Sequence, residues 1–119
     1  MIIKIRKPPA LNALYGHNKF GSTYLKSEGK IWREELIYMI KSSGEEKLEG
    51  NVELSVILRT CRHQDIDSIL KILFDSIQAS EIIDDDYQIF KLDMVKEKVK
   101  KEEECIIFEL KQKRASGLS

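Results

Sequence analysis

The chain has 119 residues, of which 42% are hydrophobic and 34% charged, a size and composition that predict one compact domain and exclude a disordered tail or a multidomain enzyme. Its 20 basic and 20 acidic side chains cancel, which taken whole argues against a strongly basic nucleic-acid binder. No apolar run approaches the roughly 20 residues that span a bilayer, so no membrane span is predicted.

Ile2 to Ile5 alternate weakly and predict a short first strand, from which Pro8-Pro9 forces an extended exit. Ala10 to Tyr24, with Gly16, Asn18 and Gly21, reads as a loop. From Ser27 to about Ser43, residues Ile31, Trp32, Leu36, Met39 and Ile40 recur at helical spacing, with Ser27 as N-cap and Ser42-Ser43-Gly44 as the stop. Val52, Leu54, Val56 and Leu58 alternate with Glu53, Ser55 and Arg59, the pattern of a strand with one buried face. A second helix is predicted from about Asp67 to Ala79, with Ile69, Leu70, Leu73, Phe74 and Ile77 as its apolar stripe. Phe90, Leu92 and Met94 alternate again, as do Ile106, Phe108 and Leu110, and the charged link 96–104 predicts that these two strands form a hairpin. The order strand, helix, strand, helix, strand, strand predicts an α+β domain over residues 1–112. A mixed sheet would carry two helices on one face, and a loose tail would follow over 113–119.

The zero net charge is a sum of unequal parts. Residues 1–43 hold eight basic side chains against three acidic ones, and residues 64–93 hold two against eight. Lys4, Arg6, Lys7, His17, Lys19, Lys26, Lys30 and Arg33, interleaved with Tyr15, Phe20 and Tyr24, combine phosphate contacts with stacking surfaces. The N-terminus mixes charge into its apolar residues and lacks the apolar run of a secretion signal, so a cytoplasmic protein is expected. Cys61 and Cys105 make no disulfide framework, and Cys61-Arg62-His63 lacks the second ligand pair of a zinc site.

The chemistry concentrates in Asp65-Ile66-Asp67-Ser68-Ile69-Leu70-Lys71, at a strand exit and helix start. In extended backbone, residues two apart point the same way, so both carboxylates face one side and Ile66 faces the core. Neighbouring carboxylates repel, and a hard cation such as Mg²⁺ relieves that repulsion by taking them as oxygen ligands. Lys71 is four residues after Asp67, on the same helix face, where its ammonium could reach a substrate phosphate. The simpler structural reading has one aspartate capping the helix and Lys71 in a surface ion pair, which accounts for one acid and not both. Asp84-Asp85-Asp86 follows the second helix. It lacks the spacing of an EF-hand loop and could supply a third carboxylate to an Mg²⁺ site of the phosphodiester-cleaving kind.

Pro8-Pro9, Asn12, Tyr15, Ser27-Glu28-Gly29-Lys30, Asp65-x-Asp67-x-x-x-Lys71, Phe74-Asp75 and Ile83-x-Asp85-Asp86-x-Gln88 together resemble the RusA family of Holliday junction resolvases, from Ile3 to Leu110. The resemblance implies a small homodimeric endonuclease, bacterial or phage-encoded, that uses Mg²⁺ or Mn²⁺ to cut four-way DNA junctions by paired nicks. It implies Asp65, Asp67 and Asp86 as metal ligands, with Asp85 able to exchange roles with Asp86, and Lys71 as the catalytic lysine. Lys7, Lys19, Lys26, Lys30 and Arg62 would contact DNA. Arg62-His63-Gln64 departs from the Arg-rich stretch frequent before the first acid, and Ser68 stands where an Asn is common. Two other readings compete: a non-catalytic junction-binding protein of the same fold, and an Mg²⁺ enzyme acting on another phosphate substrate, for which the chain has no Gly-rich phosphate loop.

Overall fold

The computed structural model describes residues 1–113. Strands β1 (Ile2–Ile5), β4 (Val52–Thr60), β5 (Ile89–Lys98) and β6 (Cys105–Gln112) form one mixed sheet in the order β1-β6-β4-β5. β6 runs antiparallel to both β1 and β4, while β4 and β5 are parallel. Helices α2 (Ser27–Ser42) and α3 (Ile66–Ala79) join a single core with one face of the sheet, whose register lines up Leu54 with Leu110 and aligns Val56, Phe108 and Ile3. The α+β class follows the sequence, as does the chain order of the four sheet strands and the two long helices. No helix among the described residues is long and apolar enough to cross a membrane. Of the predicted loose tail, residues 114–119 lie outside the described residues.

Three expectations are corrected. The segment Ala10 to Tyr24 is not a plain loop: it holds the short helix α1 (Leu11–Leu14) and a two-stranded ribbon of β2 (Tyr15–His17) and β3 (Thr23–Leu25). Its turn closes on Asn18, whose Oδ1 accepts from the N–H groups of Phe20 and Ser22 while Gly21 takes a positive φ of 83°. Second, Lys26 rather than Ser27 is the N-cap of α2, and its side chain makes no capping bond. The buried face of α2 is Gly29, Trp32, Leu36 and Ile40, with Ile31 turned to solvent, and that of α3 includes Ile72 together with Ser68 and Ser76, with Leu70 and Phe74 half-buried.

Third, β5 and β6 do not form a hairpin. They flank β4 on opposite sides. The physical reason is composition: Lys91, Asp93, Lys96, Glu97 and Lys98 need water on β5, which confines it to the edge, whereas Cys105 to Leu110 is nearly continuous apolar chain and suits an inner position. The charged link, including the 3₁₀ turn Lys101–Glu103, therefore passes across the C-terminal end of β4, where the Val99 N–H donates to the Thr60 carbonyl at 3.1 Å.

That crossing delivers Glu104 to the end of β4. Its Oε2 accepts from Lys7 Nζ at 2.7 Å and from the Cys61 N–H at 2.9 Å, and lies 3.1 Å from the Thr60 hydroxyl. Lys7 Nζ also donates to the Thr60 hydroxyl oxygen at 3.2 Å. The Lys7 ammonium, the Cys61 N–H and the Thr60 hydroxyl hold the Glu104 carboxyl down at about 2. Since this folded value lies below the ordinary 4.5, the stabilisation is present above about pH 4.5 and is lost as pH falls toward 2. Glu104→Gln is expected to lower the unfolding free energy by about 2 kcal/mol at pH 7, the scale of a charged hydrogen bond. Urea titrations of both proteins should show the difference shrinking through that acid window; equal differences at pH 7 and pH 3 would count against the assignment.

Candidate active site

The turn pinned by Glu104 leads from β4 into α3. Asp65 is the N-cap, in extended backbone, with Oδ1 accepting from the Asp67 N–H at 3.0 Å, and Ser68 Oγ donates back to the Asp65 carbonyl at 3.0 Å. α3 therefore begins at Ile66, one residue earlier than the spacing predicts, and Ile66 is half-buried. One aspartate does cap the helix, as the structural reading has it. The capping still leaves both carboxylates exposed on the wall of one open cleft of about 730 Å³, with Lys71 and Ser68 beside them.

The opposite wall is the ribbon, which contributes Tyr15, Gly16, His17, Thr23 and Lys26. Tyr15 joins the two sides. Its ring lies under Lys71, with Nζ 4.4 Å from the centroid, and its hydroxyl donates to Asp75 Oδ2 at 3.1 Å. Burial pushes the Tyr15 phenol far above its ordinary pKa, and the Asp75 carboxylate adds to that shift. Asp67, Lys71 and Asp75 are spaced four apart on one face of α3, and Tyr15 touches two of them, its ring Lys71 and its hydroxyl Asp75. The sequence marks Tyr15 as a stacking residue and as part of the family resemblance, without showing its contacts; the i, i+4, i+8 spacing of Asp67, Lys71 and Asp75 is the signal for its neighbours.

Asp86 stands elsewhere. It opens the 3₁₀ turn Asp86–Gln88, beyond the far end of α3, close enough to Asp75 to feel its charge. Among the described residues, no group of three His, Cys, Asp or Glu side chains gathers into a metal cage. The acidic turn itself is built firmly: Gln88 Oε1 accepts from the N–H groups of Asp84 and Asp85, and Gln88 Nε2 donates to the carbonyls of Leu48 and Gly50. Asp84 pairs with Lys47. Asp85 caps the turn, and the Tyr87 N–H holds its carboxyl low; the hydrogen bond with Asp85 pushes the Asp86 carboxyl up.

The basic residues divide as well. Lys19 sits at the ribbon tip with its ammonium 5.1 Å from the Phe20 centroid, Lys26 lines the cleft, and Lys26 and Lys30 share an adjoining hollow with Tyr24 and Glu28. Arg62 is exposed beside Asp65 in a third hollow that also includes His63 and Gln64. Lys7 borders that hollow with its ammonium engaged by Glu104.

A fold of this class with two helix-start carboxylates and a lysine on one open cleft suits work on phosphodiesters, and comparison with known proteins agrees. A sequence model of the family described as Endodeoxyribonuclease RusA matches residues 7–109. The chain is 31% identical over 100 residues to the crossover junction endodeoxyribonuclease rusA of Enterobacteria phage 82, a match covering 79% of this chain and 80% of that protein. It is 30% identical over the same shares to the crossover junction endodeoxyribonucleases RusA of Shigella sonnei (strain Ss046) and Escherichia coli (strain K12). The class is thus that of the endodeoxyribonucleases. Within it, the chain belongs to the RusA family.

The ribbon wall depends on Gly29, in the first turns of α2. A Cβ there would stand 2.5 Å from Leu25 Cδ1 and 2.9 Å from the Leu14 carbonyl oxygen, so only glycine lets α1 and β3 lie this close to the helix. Gly29→Ala is expected to destabilise the protein by about 1–3 kcal/mol in urea denaturation despite alanine's better helix propensity. A neutral or stabilising effect would show that the ribbon does not rest on this contact.

Proposed function

We propose that this chain is a divalent-metal-dependent endonuclease that resolves four-way DNA junctions by paired nicks, acting as a homodimer in the cytoplasm of a bacterium or phage-infected cell. The observation that carries the reading is the open cleft in which Asp65, Asp67 and Lys71 stand together opposite a basic ribbon, on a chain of the RusA family. Two carboxylates are a donor set that fits Mg²⁺, which takes one or two protein carboxylates and completes its shell with water and phosphate oxygens, and Mn²⁺ suits the same oxygens. Asp65 and Asp67 are the residues that would hold the ion, while Asp86 and Asp85, in the turn beyond the far end of α3, do not line this cleft. When bound, the ion supplies a Lewis acid for the scissile phosphate and a water of lowered pKa.

The chain's own groups do the rest. Lys71, held over the Tyr15 ring, adds a fixed positive charge where negative charge grows on the phosphate, a contribution of roughly 3 kcal/mol for one well-placed group. Lys19, Lys26, Lys30 and Arg62 grip backbone phosphates on either side of the cleft, and Tyr24 and Phe20 offer exposed faces to unpaired bases at the branch. Ser68 has its hydroxyl bonded to the Asp65 carbonyl, so the residue that departs from the family's common Asn serves the helix start.

Asp67→Asn is expected to bind a labelled four-way junction at least as tightly as the native protein, because one negative charge has left the cleft, while nicking it at least about 100-fold more slowly. Native-rate cleavage by that variant would sink the assignment of Asp67. Equal cleavage of a linear duplex and of the junction in Mg²⁺, both abolished by EDTA, would leave a nuclease without junction selectivity.

A further inference from the structure

Asp67, Lys71 and Asp75 follow one another at intervals of one turn along α3, so Lys71 has an acid on either side of it. Such neighbours are the ordinary partners of a lysine on a helix surface. Among the described residues Lys71 pairs with neither, and its Nζ lies instead 4.4 Å from the centroid of the Tyr15 ring. The hydroxyl of that ring donates to Asp75 Oδ2 at 3.1 Å. The ring is therefore tied to the same helix that carries the lysine, and one of the two acids competing for the ammonium is engaged by the tie.

The seat of the ring is built from the ribbon side as well. Leu14, the residue before it, is fully buried, and its carbonyl accepts from the Lys26 N–H at 2.7 Å. Tyr15 pairs with Leu25 across the ribbon, and Gly16 after it lies against the Tyr24 ring, where a Cβ would stand 2.6 Å from Cζ. An ammonium bound to a carboxylate must leave that partner before it can serve a phosphate, whereas one resting on an aromatic face keeps its whole charge. Lysine is a point charge on a flexible stem, and what such a charge contributes depends on where it is held.

We propose that Tyr15 positions Lys71: the ring is the platform on which the ammonium rests, and the bond to Asp75 fixes the platform, so that the lysine meets the scissile phosphate unpaired and already aimed. The phosphate half of this rests on the nuclease reading; the platform does not. In protein labelled with ¹³C-lysine, the ε-CH₂ signal of Lys71, assigned by its loss in Lys71→Ala, is expected upfield of the lysines that face no ring, because the ring current of Tyr15 acts on it. It should stay upfield in Tyr15→Phe and move to the ordinary position in Tyr15→Leu. In single-turnover nicking of a four-way junction, Tyr15→Leu is expected to slow the cutting step about 10-fold with junction affinity unchanged, and Tyr15→Phe to recover most of that loss. In a Lys71→Ala background Tyr15→Leu should cost nothing more, since a residue acting only through Lys71 has nothing left to position. A native Lys71 signal at the ordinary position, which needs no Tyr15 variant to fold, overturns the proposal. So does a Tyr15→Leu loss of the same size with and without Lys71, or an effect on junction affinity alone, which would make Tyr15 a DNA contact. If the native chain cuts no junction, the nuclease reading has failed, and the lysine signal still decides the platform.

Discussion

The carboxylate of Glu104 is the point on which the acidic end of the molecule depends. One oxygen receives an ammonium from the segment after β1 and a backbone N–H from the turn after β4, and the Thr60 hydroxyl lies against it. Three parts of the chain far apart in sequence therefore meet at one atom, and the Cys61–Gln64 turn leaves that atom in a fixed direction. An exposed ion pair would contribute little. This one is sheltered, with both side chains more than four-fifths covered, and charge-assisted hydrogen bonds from backbone and side chain converge on it. The carboxylate thus works less as half of a salt bridge than as a clasp for a bend in the backbone.

From that bend the cleft follows by local rules. An aspartate in extended backbone starts α3, the helix turns its next acid to the same side, and one turn later Lys71 lies over an aromatic face anchored by Asp75. The aromatic comes from a ribbon whose nearness to α2 is set by the absence of a side chain at Gly29. The cleft joins a half mounted on a helix and a central strand to a half carried on a small ribbon with charged and aromatic tips.

Much of this was legible in the sequence because it is periodic or adjacent. The alternation of Val52 to Leu58 and the 3.6-residue stripe of α3 read directly, and the Asp65–Asp67–Lys71 set needs only one helix turn of geometry. What was not legible is pairing across distance. Alternation identified β5 and β6 as strands but could not tell that β4 lies between them, since that choice is made by which strand tolerates water on both faces. Glu104 was one acid among several in a charged link, and nothing local marks it as the one that meets Lys7. The ribbon was missed because three-residue strands carry too little pattern, and its Asn18 and Gly21 signal a turn without showing what the turn joins.

The strand order has a consequence for how the protein comes into being. β6 occupies the seat between β1 and β4, so Ile3 acquires its neighbour Phe108 only when more than a hundred further residues have left the ribosome. Pairings of such long sequence separation form late and slowly. The acids at 65 and 67 are synthesised well before residue 104, and through that interval the nascent chain carries them without the clasp that aims them. The inner strand of the sheet is thus among the last parts of the described chain to be made, and the clasp on Cys61 arrives with it.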